Sequence, residues 1–230
     1  MTKKILDLTK LERQIEFMDI GGQLGNPIED IKNLYIKLIS EELSELDEAL
    51  NEKFFTVKEL SESDFHPSVD ELDALADILV VSAGFYAKDD MLPGVLGEED
   101  SILDLHVNNG DKQVLLFDTL MSLQSMAAAL KSDLLKPDFD YNDWNEAIPA
   151  LILSVVMVTK IYNLDIEAVM TEVYDSNFSK FITNPETGKL EAQRNDYGKI
   201  MKGPNFRLPN FEQFIKKEVI DVTEHSESFN

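Results

Sequence analysis

The chain has no cysteine. That excludes a disulfide framework, a thiolate nucleophile and a Cys-ligated zinc site. Histidine is almost as scarce: His66, His106 and His225 are scattered, without ligand spacing, and read as structural. The single tryptophan, Trp144, reads as a core anchor. Long hydrophobic runs are missing too. The longest, Ala147 to Val158, is interrupted by Pro149 and Ser154 and falls short of the roughly 20 residues that span a bilayer. Lys3 and Lys4 precede Ile5 and Leu6, but Asp7 cuts that run short, so no secretory signal is expected. No Gly-x-x-x-x-Gly-Lys-Ser/Thr stretch occurs, which excludes a P-loop. A cytoplasmic protein without a membrane partner is the expectation.

Positive charge is also in short supply. Lys plus Arg number 21 against 44 Asp plus Glu, a formal charge of −23. Such a field repels phosphate backbones and anionic lipid, which argues against a nucleic-acid polymer or a membrane surface as partner. Acids in 59–64, 98–100 and 224–227 read as solvated loop and tail charge. The informative acids are those that fall on apolar helix faces. With 230 residues and 43% hydrophobic content, the chain can bury a core as one elaborated domain.

Hydrophobic periodicity predicts helices over Leu6–Met18, Ile28–Lys53, Ser68–Ala87, Val114–Leu134 and Asp143–Tyr162. Another should run from Ile166 to Phe181, with Asn163–Asp165 supplying its N-cap. "GGQLGNP" (21–27) breaks the first helix from the second, and 88–112 reads as an irregular loop. Residues 183–210 are rich in Gly, Pro and Asn and read as a mobile flap in which two short stretches pair as a hairpin. A last amphipathic turn or two is expected over Phe211–Ile220. The fold class is therefore all-α: a bundle of four or more helices over 1–182, with 88–164 as an inserted helical hairpin. A short β-hairpin or irregular flap and tail follow over 183–230.

Within "LYIKLISEELSELDEAL" (34–50), a step of about 100° per residue puts Leu38, Glu42, Glu45 and Ala49 on one line. Glu42 should therefore sit near the middle of the core-facing stripe, with Glu45 beside it. In "SVDELDALADILVVSAG" (68–84), Asp70, Asp73 and Asp77 share a line that continues into Val81 and Gly84. Glu71 falls about 120° away and is the poorer candidate. Packed antiparallel, the two helices would bring Glu42 and Glu45 to face Asp73 and Asp77. Uncompensated, so many carboxylates in a bundle interior would be prohibitive. Protonation relieves some of the repulsion, and hard divalent cations such as Mg²⁺ or Mn²⁺ relieve it better.

These pieces resemble the all-α nucleoside triphosphate pyrophosphohydrolases: the MazG-type enzymes, the phosphoribosyl-ATP pyrophosphohydrolases and the dimeric dUTPases. "EELSE" (41–45) and "DALADILVVSAG" (73–84) look like the two acidic helix motifs of that superfamily. "EVYDSNFSK" (172–180) and "GKIMKGPNF" (198–206) look like the segments that follow in phage-type members, and "RQIEFMD" (13–19) like the helix covering the nucleotide. The resemblance implies Mg²⁺-dependent hydrolysis of a (deoxy)nucleoside triphosphate to monophosphate and pyrophosphate. It implies Glu42, Glu45, Asp73 and Asp77 as metal ligands, with Glu41 orienting or deprotonating the attacking water. It implies that Asn177, Lys180 and Lys202 contact the substrate, and that the chain forms a homodimer. One departure stands out: Ala74 occupies a position where the family carries an acid, and Asp73, with Asp70 behind it, is the substitute. Alternatives are a dUTPase-like or phosphoribosyl-ATP-specific activity, or a catalytically silent acidic bundle that binds a basic partner.

Overall fold

The computed structural model describes residues 9–55, 66–88 and 112–215. Among them, seven helices pack together with one two-stranded antiparallel hairpin near the C-terminal end, the all-α architecture expected. The helices are α1 (Thr9–Ile20), α2 (Ile28–Phe55), α3 (Val69–Phe85), α4 (Lys112–Leu134), α5 (Ala147–Ile161), α6 (Ile166–Phe178) and the short α7 (Glu212–Ile215). The strands are β1 (Ile182–Thr183) and β2 (Leu190–Glu191), with Ile182 opposite Glu191 and Thr183 opposite Leu190. Most of the expected 88–112 loop, the part of the expected 211–220 turns beyond Ile215, His106 and His225 lie outside the described residues.

Local chemistry sets most helix ends. The Ser68 side chain accepts from the Glu71 N–H at 3.0 Å, and Asp165 accepts from the Ala168 N–H at 3.1 Å, so both cap the helices that follow them. Two expected helices are shorter than periodicity implied. Tyr141–Trp144 forms a separate 3₁₀ turn, and α5 starts only at Ala147. Pro149 explains this, because proline fits the first helical turn, where its missing N–H is not needed, and disrupts later ones. α6 stops at Phe178 rather than Phe181. There the Ser179 hydroxyl donates to the Ser176 carbonyl and accepts from the Arg207 N–H, turning the chain toward β1.

α3 is the central helix, packed by α1, α2, α5 and α6. Between Glu71 and Tyr86 every residue is buried except Asp73, Asp77 and Val81. These lie four apart, on one line, so α3 is walled on all sides but one strip. Tyr35 packs against Gly84, Glu42 feels the charge of Asp77, and Asp73 that of Glu45. Positions rising on α2 meet positions falling on α3, which is antiparallel packing.

The α2 phase requires a correction. Its buried centre is Ile39, Leu43, Leu46 and Leu50, while Glu42 sits on the shoulder, partly buried, and Glu45 is exposed. The reason is α4, which packs on the opposite flank of α2 and draws the buried face toward itself, with Gln124 donating to Asp47 at 2.9 Å. The segments Val114–Leu134 and Tyr141–Ile161 are also longer and more apolar than the reading of continuous runs implied. By length and composition each could cross a bilayer. In the fold they form the α4–α5 hairpin, which buries Leu116, Leu120, Leu123, Ile148, Leu151 and Val155 in the common core. Trp144 is buried as expected, and its indole N–H donates to Asp133 at 3.0 Å.

Candidate active site

The open strip of α3 looks onto a cavity of about 90 Å³. Glu42 and Asp77 form one wall; Asn177, Lys180 and Lys199 face them; Gln14, Gln23 and Tyr35 close the far end. Phe17, Leu38, Val80, Val81 and Ile200 supply apolar surface between these groups. Asp73 and Glu45 do not line the cavity. Both act electrostatically on it: each holds up the proton affinity of Asp77.

That electrostatic strain is large. Burial first, then the charges of Asp77 and Glu45, pushes the Glu42 carboxyl up to about 9, with Lys199 pulling the other way. Asp77 is raised by burial and by Asp73, against the pull of Lys180. Asp73 is pushed up to about 6 by burial, Glu45 and Asp70. Lys180 is partly buried and its pKa is lowered by desolvation, which Asp77 and Glu42 offset; its ammonium donates to Asn177 Oδ1. Two helices thus hold carboxylates that resist ionising together, with two cations across the gap.

All-oxygen donors in a negative, partly dry setting suit a hard divalent cation. Their spacing is looser than a closed coordination shell. Among the described residues, no three Asp, Glu or His side chains converge enough to hold an ion as placed. Rotation of Glu42, Glu45, Asp73 and Asp77 about their side-chain bonds is what binding would require. Ala74 is 1% exposed and packed in the core, so an acid there would be buried, whereas Asp73 lies on the open strip. Asp70 is exposed in the first turn of α3. Glu71 points away from the site. It is 0% exposed and accepts the hydroxyl proton of Tyr162 at the far end of α5.

The glycine-rich segment crosses the helices as a strap. Ser176 donates to the Arg207 carbonyl at 2.8 Å, Arg207 pairs with Glu172, and Ile200 packs beside Phe17 and Phe181. Lys202, expected at the substrate, is exposed and does not line the cavity, but its charge reaches it, pulling the proton affinity of Asp73 down; its ammonium lies 4.6 Å from the Phe206 ring centroid. Lys199, which sequence reasoning missed, lines the cavity and pairs with the half-exposed Glu41 at 2.5 Å. A tight turn presents it. Asn195 Oδ1 accepts from the N–H groups of Tyr197 and Lys199, and Gly198 adopts φ +83°. "NDYGK" carried that turn signal, but nothing in it told which way the lysine would reach.

No protein-family model, curated protein or solved structure matches this chain.

Proposed function

We propose that the chain hydrolyses a (deoxy)nucleoside triphosphate to the monophosphate and pyrophosphate. One observation carries the reading: acids from α2 and α3 meet two lysines, from the end of α6 and from the strap, around one cavity of a strongly acidic chain. The family resemblance of the motifs agrees with it. A Mg²⁺ or Mn²⁺ ion on Glu42, Glu45, Asp73 and Asp77 would neutralise phosphate charge and acidify nearby water. Lys180 and Lys199 would bind the oxygens of the β- and γ-phosphates, and Asn177 would fix Lys180. Water attacks the α-phosphorus, its proton passes to Glu41, and the bond from that phosphorus to the bridging oxygen breaks as pyrophosphate leaves. A dUTPase-like or phosphoribosyl-ATP-specific enzyme would share this chemistry and differ in its base contacts.

The test is a panel of nucleoside triphosphates with Mg²⁺ and pyrophosphate detection. Asp77→Ala and Glu45→Ala should each lower turnover roughly a hundredfold or more, the scale seen for lost electrostatic groups. Neither should unfold the bundle, since each removes a mutually repelled carboxylate. Near-parental turnover at saturating Mg²⁺ would refute the assignment. A silent acidic bundle is the second reading, favoured by the loose carboxylate spacing and by lysines that already offset Glu42 and Asp77. Calorimetric titration separates the two, because a silent bundle has no tight Mg²⁺ or Mn²⁺ site.

A further inference from the structure

At three points where the strap meets the rest of the fold, a glycine makes room for it. At Gly21 an added Cβ would lie 2.3 Å from Ile200 Cδ1. At Gly22, with φ +66°, it would lie 3.2 Å from a guanidinium nitrogen of Arg194, and that side chain donates to the Gly22 carbonyl at 3.2 Å. Between these contacts Gln23 Nε2 donates to the Gly198 carbonyl at 3.2 Å. Gln23 is itself tied down: the Tyr35 hydroxyl donates to its Oε1 and accepts from Gln14 Nε2, both at 3.0 Å, while Gln14 Oε1 stays buried without a partner. The third glycine, Gly203, belongs to the strap. Its Cβ would lie 2.4 Å from the Lys180 carbonyl oxygen and 3.3 Å from Ile182 Cγ2. At Gly21 the conflict is with the end of a movable side chain. At Gly203 it is with backbone, held in the turn that closes α6, where the Lys180 N–H donates to the Asn177 carbonyl at 3.1 Å. Gly203 is not among the residues with positive φ, so the close approach alone calls for glycine there.

We infer that Gly203 is a positioning residue: its missing side chain lets the strap seat against the Lys180 backbone, and that seat, with the space at Gly21 for Ile200, keeps Lys199 at the cavity. The inference rests on the reading of Lys199 as a phosphate ligand and adds what holds it in place. Little else does. The Lys199 side chain is 47% exposed, and its ion pair with Glu41 joins two half-exposed groups, a pairing worth little in water. The hydrogen bonds to Asn195 shape the turn, but they run within the strap and do not decide where the turn sits. Its place is set by the contacts on either side, Arg194 and Gly198 before the lysine, Ile200 and Gly203 after it. The same seat serves the second cavity lysine. The Phe206 N–H donates to the Gly203 carbonyl at 3.1 Å, folding the chain back so that the Phe206 ring centroid lies 5.9 Å from the Lys180 ammonium.

The absence of cysteine supplies a clean test. Ile200→Cys puts a single thiol where the parent side chain is 7% exposed, and its rate of modification by a neutral maleimide reports whether the strap is seated. Adding Gly203→Ala should speed that modification roughly tenfold or more, as local opening becomes easier, with the helical circular dichroism unchanged. Without the thiol, Gly203→Ala should weaken binding of inorganic tripolyphosphate, measured by calorimetry with Mg²⁺ present, by the same roughly tenfold as Lys199→Ala. The double variant should bind little more weakly than Lys199→Ala alone, because both changes remove one contact. Gly21→Ala should have a smaller effect, and Ile200→Val, which deletes the methyl in the way, should reverse it. Gly25→Ala, whose added Cβ would meet only the Gly22 carbonyl oxygen at 3.8 Å, controls for alanine in the α1–α2 turn and should leave affinity at the parental value. An unchanged thiol rate in Gly203→Ala, or losses that add in full in the double variant, would overturn the inference. Parental protein that binds no tripolyphosphate, with the thiol still exposed by Gly203→Ala, would sink the hydrolase reading and leave Gly203 as the seat of the strap.

Discussion

Glu42→Gln should make the metal-free protein more stable, and only above acidic pH. In the unfolded chain this carboxyl ionises near 4.5, and in the fold it holds its proton up to about 9. Between those values folding takes up a proton that the unfolded chain has released. Stability therefore falls as pH rises, by about 1.4 kcal/mol per unit, and levels off once the folded group ionises too. From the intrinsic 4.5 to pH 7 the ceiling is about 3 kcal/mol from this one group. Glutamine keeps the shape and cannot ionise, so it removes the dependence. With chelator present, parent and variant should melt together at pH 4.5. By pH 7 the variant should melt higher by up to roughly 6–12 °C, taking 2–4 °C per kcal/mol for a chain of this size. Comparing the two proteins cancels the self-repulsion of the other acids, which acts on both. Circular dichroism melts across pH 4.5–9 supply the measurement. A parental melting temperature no more pH-dependent than the variant's would show that Glu42 is ionised and solvated, and the strained-carboxylate account would fail.

Lys199→Ala should weaken tripolyphosphate binding roughly tenfold, the scale of a charge-assisted hydrogen bond, and Lys202→Ala should do much less. Lys189→Ala, on the exposed hairpin turn, controls for lost charge; equal effects at all three positions would mean a diffuse field rather than a contact. At Gly84, an added Cβ would lie 2.0 Å from Tyr35 Cε1. Gly84→Ala should therefore cost about 1–3 kcal/mol in denaturant melts, and no loss would mean that the Tyr35 ring is free to move. Glu71→Leu should cost about 1–3 kcal/mol by removing the carboxylate to which the buried Tyr162 hydroxyl donates, whereas Glu71→Gln keeps an acceptor and costs less. Neither Glu71 variant should change Mg²⁺ affinity, while Asp73→Asn should lower it; the reverse ranking in calorimetry would place the wrong acid at the site.

Features that depend on neighbours a few residues away were legible before any fold was known. Asp165 caps α6 because the group it bonds lies three residues on. Asp73, Asp77 and Val81 share the open strip of α3 because four residues make nearly one helical turn. Such distances are set by covalent geometry, so the sequence alone determines them. What failed was decided across longer separations. Glu42 lies on the shoulder of α2 rather than its centre because α4, distant in sequence, covers the other flank. Lys199 rather than Lys202 reaches the cavity because the strap is held by Ser176, Glu172 and Gly21–Gln23, none of which adjoins it in the chain. The unpartnered oxygen of Gln14 depends on three hydrogen bonds joining α1, the α1–α2 turn, α2 and the strap. A helical phase fixes direction around one axis only. Which flank is buried, which cation arrives and which acceptor is left unpaired are properties of several axes packed together, and only the tertiary structure decides them.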